Sequence, residues 1–129
     1  MANWSVRAEL VVNCISLSLD DVTKLVGLQP TSVIRAGTTR RAGARPARSS
    51  LWTYQKEFKD DSQPNDLVAN LLDELPVHVD FGSLRDRGTA WVGLECRTHT
   101  TTPPLTFPTE VLARLAQYGL GLDIDIYVE

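Results

Sequence analysis

Trp4-Ser-Val-Arg-Ala-Glu-Leu-Val-Val-Asn-Cys14 is the stretch that decides the fold. Every second residue is apolar (Trp4, Val6, Ala8, Leu10, Val12, Cys14), and the interleaved Ser5, Arg7, Glu9, Val11 and Asn13 are mostly polar. Side chains alternate across a strand, so this period packs one face against a core and wets the other. One wetted face points to an antiparallel sheet, because parallel sheets are covered on both sides. The chain closes with the same alternation: Leu122, Ile124, Ile126 and Val128 against Asp123, Asp125, Tyr127 and Glu129. Ala90 to Thr98 is a third strand, with Ala90, Val92, Leu94 and Cys96 opposed to Trp91, Gly93, Glu95 and Arg97. Leu51 to Phe58 is a fourth, and unbroken alternation puts Trp52, Tyr54 and Phe58 on one face. Val33-Ile34 adds a short one.

Helices fall between these strands. Ser18 is an N-cap with Asp21 at N3, and Leu17 and Val22 have the spacing of a hydrophobic staple. Gly27 suits the left-handed position after the helix, and Pro30 stops it. A second helix fits from about Pro64 to Leu75, with Leu67, Val68, Leu71 and Leu72 on its buried stripe and Pro76 ending it. A third follows Pro103-Pro104, with Thr106 as its expected cap, Val111, Leu112, Leu115 and Ala116 packing it and Gly119 terminating it. Val77 to Arg87 reads either way, with Phe81 and Leu84 on one helical face. Leu17-Ser-Leu-Asp-Asp-Val with its Gly27-Leu28 ending is echoed by Leu105-Thr-Phe-Pro-Thr-Glu-Val with Gly119-Leu120; duplication and shared capping rules both account for this.

The order is β-α-β-β-α-(α)-β-α-β, with room for a short strand at Leu105. The expected fold is therefore α+β: a mostly antiparallel or mixed sheet with helices on one face. Its first part follows the ferredoxin-like βαββαβ order, with an added αβ unit. The 129 residues, 43% hydrophobic and 22% charged, suit one globular domain over 1–129. No run reaches the ~18–20 apolar residues of a membrane span. Met1-Ala2-Asn3-Trp4 shows no secretory pattern. Two cysteines are too few for a disulfide scaffold. A cytoplasmic domain is the expectation.

Gly27-Leu28-Gln29-Pro30-Thr31, then Gly37, then Leu51-Trp52-Thr53-Tyr54 after a variable loop resembles a bacterial family, the domain of unknown function numbered 4279. The ending, Leu115-Ala-Gln-Tyr-Gly119 followed by Leu122-Asp-Ile-Asp-Ile-Tyr127, is similar to that family's ending. The resemblance runs over nearly the whole chain and implies a small intracellular bacterial domain. It implies no activity and brings no catalytic or binding residue with it.

Gly37 to Ser50 is the most unusual segment, a loop expected to be mobile. Arg40, Arg41, Arg45 and Arg48 lie in it, Arg35 lies just before it, and no acid occurs between Asp21 and Glu57. Guanidinium groups pair bidentately with phosphate oxygens, so the segment is a candidate nucleic-acid or phosphate contact. A net charge of −3 and a pI of about 5.3 oppose long-range attraction to a polyanion. Aromatic side chains for base stacking are absent from the loop.

Cys96-Arg97-Thr98-His99 has a C-x-x-H spacing, but residues three apart on a strand face opposite sides, so no metal is expected. Asp123 and Asp125 share a strand face about 7 Å apart, a spacing open to metal or acid–base work, but the expectation is the wet side of an amphipathic final strand. With two histidines and no P-loop, dinucleotide fingerprint or zinc-protease motif, no catalytic residue and no cofactor is expected. The open sheet face stands out instead. Trp91, Arg97, Asp123, Asp125 and Tyr127 belong to it, and an exposed aromatic among charges has the composition of a partner surface. The reading is a non-enzymatic module for a protein partner, with an immunity-type protein of a bacterial toxin system as one concrete form. The alternatives are a nucleic-acid-associated protein using the arginine loop, and an enzyme built around His78 or His99.

Overall fold

The computed structural model describes residues 2–39 and 41–129. Along the chain lie β1 (Trp4–Cys14), α1 (Leu19–Val26), β2 (Ser32–Ile34), β3 (Ser50–Gln55), β4 (Lys59–Asp60) and α2 (Pro64–Asp73). A 3₁₀ segment (Phe81–Arg87), β5 (Gly88–Thr98), α3 (Thr109–Tyr118) and β6 (Gly121–Val128) complete it. The sheet runs β2-β3-β1-β5-β6, with β4 paired to the start of β1. All these pairings are antiparallel except β5 with β6. The fold is α+β with a mixed, mostly antiparallel sheet. The parallel pair follows from α3, which carries the chain back to the start of β5; parallel neighbours need such a crossover.

β1 is the spine because its alternation serves two long partners at once. Its even-numbered side, from Val6 to Cys14, is sealed beneath residues from all three helices. Trp52 from β3 and Val92, Leu94 and Cys96 from β5 extend the same layer. Trp52 is wholly buried and donates its indole N–H to Thr23 Oγ1 at 3.0 Å, tying β3 to α1. Tyr54 and Lys56 tie the sheet to the end of α2 through Glu74, at 2.8 and 2.9 Å.

The helix ends obey local chemistry. Ser18 Oγ accepts from Asp21 N, Asp21 Oδ2 accepts from Ser18 N, and Gly27 closes α1 at φ 75°. α3 starts at Thr109 with Pro108 as its N-cap, so Thr106 does not cap it. A cap at Thr106 would force Phe107 into helical geometry immediately before a proline, which the proline ring disfavours. The ambiguous stretch after α2 becomes the 3₁₀ segment, opened by Asp80 Oδ1 accepting from Gly82 N at 2.9 Å and kinked at Arg85, whose φ of 55° is not helical.

The fourth strand departs most from expectation. It ends at Gln55, and β4, which simple alternation does not reveal, resumes at Lys59. Gln55 pairs with Glu9, and Lys56 N still donates to Ala8 O, yet Val6 pairs with Lys59. Three steps on one strand therefore match two on the other: a β-bulge, which reverses the facing of everything after it. Phe58 leaves the core side and lies beside Arg7 and Arg97 on the opposite face.

Candidate functional site

Because residues paired across strands share a face, the registers assemble the uncovered side of the sheet directly. Arg7 pairs with Glu95 and Glu95 with Asp125; Glu9 pairs with Gly93 and Gly93 with Asp123. Val11 pairs with Trp91 and Ser5 with Arg97, which in turn pairs with Tyr127. Five residues singled out from the sequence, Trp91, Arg97, Asp123, Asp125 and Tyr127, thus lie side by side on β5 and β6. Trp91 is half-buried over Val11, which keeps only 3% of its surface although it lies outside the main core. Asp123, Asp125 and Tyr127 are exposed. Among the described residues, no strand pairs with the outer side of β6.

Arg97 is held in place. Glu95 Oε2 lies 2.9 Å from Arg7 Nη2 and 3.7 Å from Arg97 Nη2. The first contact has an ion pair's distance but not a hydrogen bond's angles, and Arg7 Nε is sealed from solvent with no acceptor. Both guanidinium carbons lie over the Phe58 ring, at 4.3 and 4.4 Å. Cation–π contact and the shared carboxylate keep two like charges together and leave Arg97 at the rim. Alternation places Glu95 on this face with Arg97, but it does not place Phe58 there. The bulge that delivers Phe58 depends on the register of a partner strand and leaves no local signature.

The arginine loop folds onto the other end of the same face. Its base is closed by Gly37 N donating to Ala47 O at 2.8 Å and Ala47 N donating to Thr38 O at 2.9 Å. Ala36 N donates to Ser50 Oγ, and Ser49 Oγ donates to Asn13 Oδ1. Between loop and sheet lies a groove of about 630 Å³, lined by Asn13, Ile34, Thr38, Arg41, Ala44, Arg45, Ala47, Arg48, Ser49 and Leu51. Arg41, Arg45 and Arg48 therefore come together, and Arg40 lies outside the described residues. Asn13, Ile34 and Leu51 form the floor, aligned by the pairing of Asn13 with Leu51 and of Leu51 with Ile34.

The remaining candidates disperse. Cys14 pairs with Gly88 and Cys96 with Val6, so eight rows of one strand, about 26 Å, separate two thiols on neighbouring strands. That distance is far beyond disulfide reach. Both are buried, and burial raises both thiol pKa values, with the Glu95 carboxylate adding to the effect at Cys96. His99 is exposed and sits 3.7 Å from Glu129, away from buried Cys96. Among the described residues no three His, Cys, Asp or Glu side chains converge as metal ligands would, and no helix is long and apolar enough to cross a membrane.

With this geometry in hand, the family model described as "Domain of unknown function (DUF4279)" matches residues 4–129. The chain belongs to that family. The match begins at the first residue of β1 and runs past β6, so both halves of the open face, the acidic β6 row and the arginine groove, lie within the DUF4279 region. Neither the curated proteins nor the solved structures searched gave a match.

Proposed function

We propose that this DUF4279 domain is a non-enzymatic binding module that docks a protein partner on the open face of its sheet. The observation that carries the reading is the face of β5 and β6 opposite the helix-covered core: half-buried Trp91 beside Gly121 at one end, exposed Asp123 diagonal to it, and exposed Asp125 and Tyr127 farther along β6. An aromatic anchor with a charged rim is how interfaces concentrate binding energy and select partners. The partner presents a basic surface to Asp123 and Asp125. An immunity-type protein that covers the basic cleft of a bacterial toxin is one concrete form of this reading. Two buried, unpaired thiols are compatible with a reducing compartment, and the bacterial cytoplasm is the proposed location.

The test places a photo-crosslinking amino acid at position 125 in one protein and at Leu112, exposed on α3, in another. Cells of the source organism expressing each are irradiated. A protein captured from position 125 alone, whose purified form binds Asp123→Lys/Asp125→Lys protein at least tenfold more weakly, supports the reading. Equal capture from both positions, no capture from 125, or unchanged affinity of the double variant overturns it.

A further inference from the structure

Three cations lining one groove with no anion beside them call for a ligand. None of the residues lining the groove under the β2–β3 loop is acidic. Among the described residues, Arg41, Arg45 and Arg48 form no salt bridge. Opposite them the floor offers the Asn13 amide and Ser49 hydroxyl beside the apolar side chains of Ile34 and Leu51. The volume, about 630 Å³, falls in the ~300–1,000 Å³ range of small-molecule sites.

We propose that this groove binds a small organic phosphate, with the phosphate among Arg41, Arg45 and Arg48 and the organic portion over Ile34 and Leu51. Phosphate fits better than a carboxylate. A phosphomonoester carries about −1.5 to −2 charge at neutral pH and three acceptor oxygens. Three guanidinium groups can share those oxygens, whereas a carboxylate offers two oxygens and one charge. A small ligand fits better than a nucleic-acid strand. No aromatic side chain lines the groove to stack a base. The chain's net charge of −3 and the Asp123–Asp125 row on the same face repel a long polyanion. The site shares no residue with the β5–β6 row, so it stands or falls separately from partner docking.

Calorimetric titration of the whole chain at low salt tests it, with ribose 5-phosphate as probe and ribose, citrate and a twelve-nucleotide oligothymidylate as comparisons. Ribose 5-phosphate is expected to bind and ribose to give no heat. Citrate and the oligonucleotide are expected to bind at least tenfold more weakly than the phosphate. The Arg41→Ala/Arg45→Ala/Arg48→Ala protein is expected to lose at least tenfold in affinity with an unchanged denaturant midpoint, because the loop lies outside the core. Arg45→Lys keeps the charge but not the planar fork, so it should bind several-fold more weakly; this variant also decides the matter if the triple one misfolds. Silence toward ribose 5-phosphate, equal binding by Arg45→Lys and wild type, or tighter binding of citrate or oligothymidylate overturns the proposal. None of these outcomes bears on Asp123→Lys/Asp125→Lys, so failure here leaves the docking reading to its own test.

Discussion

Two glycines end helices in nearly the same left-handed conformation, Gly27 at φ 75° and Gly119 at φ 72°, yet their surroundings differ. Replacing each in turn by alanine separates conformational cost from packing cost. The left-handed penalty for a non-glycine residue is about 1–2 kcal/mol. The stiffer unfolded chain of the alanine variant returns about 0.4–1 kcal/mol of that. At Gly27 the new methyl would meet only Pro76 Cγ at 3.9 Å, an ordinary contact, so Gly27→Ala should cost about 1 kcal/mol. At Gly119 the methyl would lie 2.9 Å from Gly82 Cα, closer still to Gly82 N, and 3.2 Å from Asp80 Oδ1. That oxygen accepts the Gly82 N–H at the start of the 3₁₀ segment. Either the end of α3 or this turn must move, adding about 1–3 kcal/mol of overpacking. Gly119→Ala should therefore lose about 2–4 kcal/mol in all. Urea unfolding followed by tryptophan fluorescence reads both variants, with a common m-value showing that only stability has changed. Equal losses at the two positions, or a larger one at Gly27, would refute the close approach of α3 to the 3₁₀ turn.

Other perturbations probe other parts of the fold. Trp52→Ala should destabilise by about 3–5 kcal/mol in equilibrium unfolding, since the ring is wholly buried. Trp52→Phe should cost less but still lose the bond to Thr23, so a Thr23→Val background should reduce its effect; additive losses would count against that bond. Native Cys14 and Cys96 should react with iodoacetamide at neutral pH no faster than the chain opens, because burial holds both thiols protonated; rapid labelling of either contradicts its placement. The Lys56 ammonium, bonded to Glu74, has its pKa raised above the ordinary 10.5, and the Tyr54 hydroxyl, bonded to the same carboxylate, is raised above 10.0. A raised folded-state pKa gives stability that is complete below the unfolded value and is lost as pH climbs through the folded one. The stability difference between wild type and Glu74→Gln should thus be flat from about pH 7 to about pH 10 and shrink above it; a difference that grows with pH across that range would reverse the assignment.

Much of this was legible in the residues because it is local. The alternation of β1, the Ser18 cap and the Gly27 and Gly119 stops are each decided within a few positions, and the structure has them; in β6 the alternation of burial holds for Leu122 and Ile124 and ends at exposed Ile126 and Val128. Trp91, Asp123, Asp125 and Tyr127 could be grouped in advance because period-2 facing is a property of a strand alone. What escaped depends on distant partners. The bulge at Lys56–Phe58 exists only relative to Ala8 and Val6 on β1, so Phe58 was assigned to the wrong face. The groove was invisible for the same reason: Gly37–Ser50 reads as polar loop, and only its return over Asn13, Ile34 and Leu51 gathers Arg41, Arg45 and Arg48. Thr106 failed as a cap because the restriction imposed by Pro108 on Phe107 outweighs the preference for a hydroxyl.

Trp91→Ala offers the most direct test of docking on the open face. The affinity of the captured partner is measured beside the denaturant midpoint of the variant alone. An interface anchored on this ring should lose about 2 kcal/mol or more of binding, roughly thirtyfold, while the fold persists. Undiminished affinity in a folded Trp91→Ala protein would place the partner elsewhere and contradict the proposal.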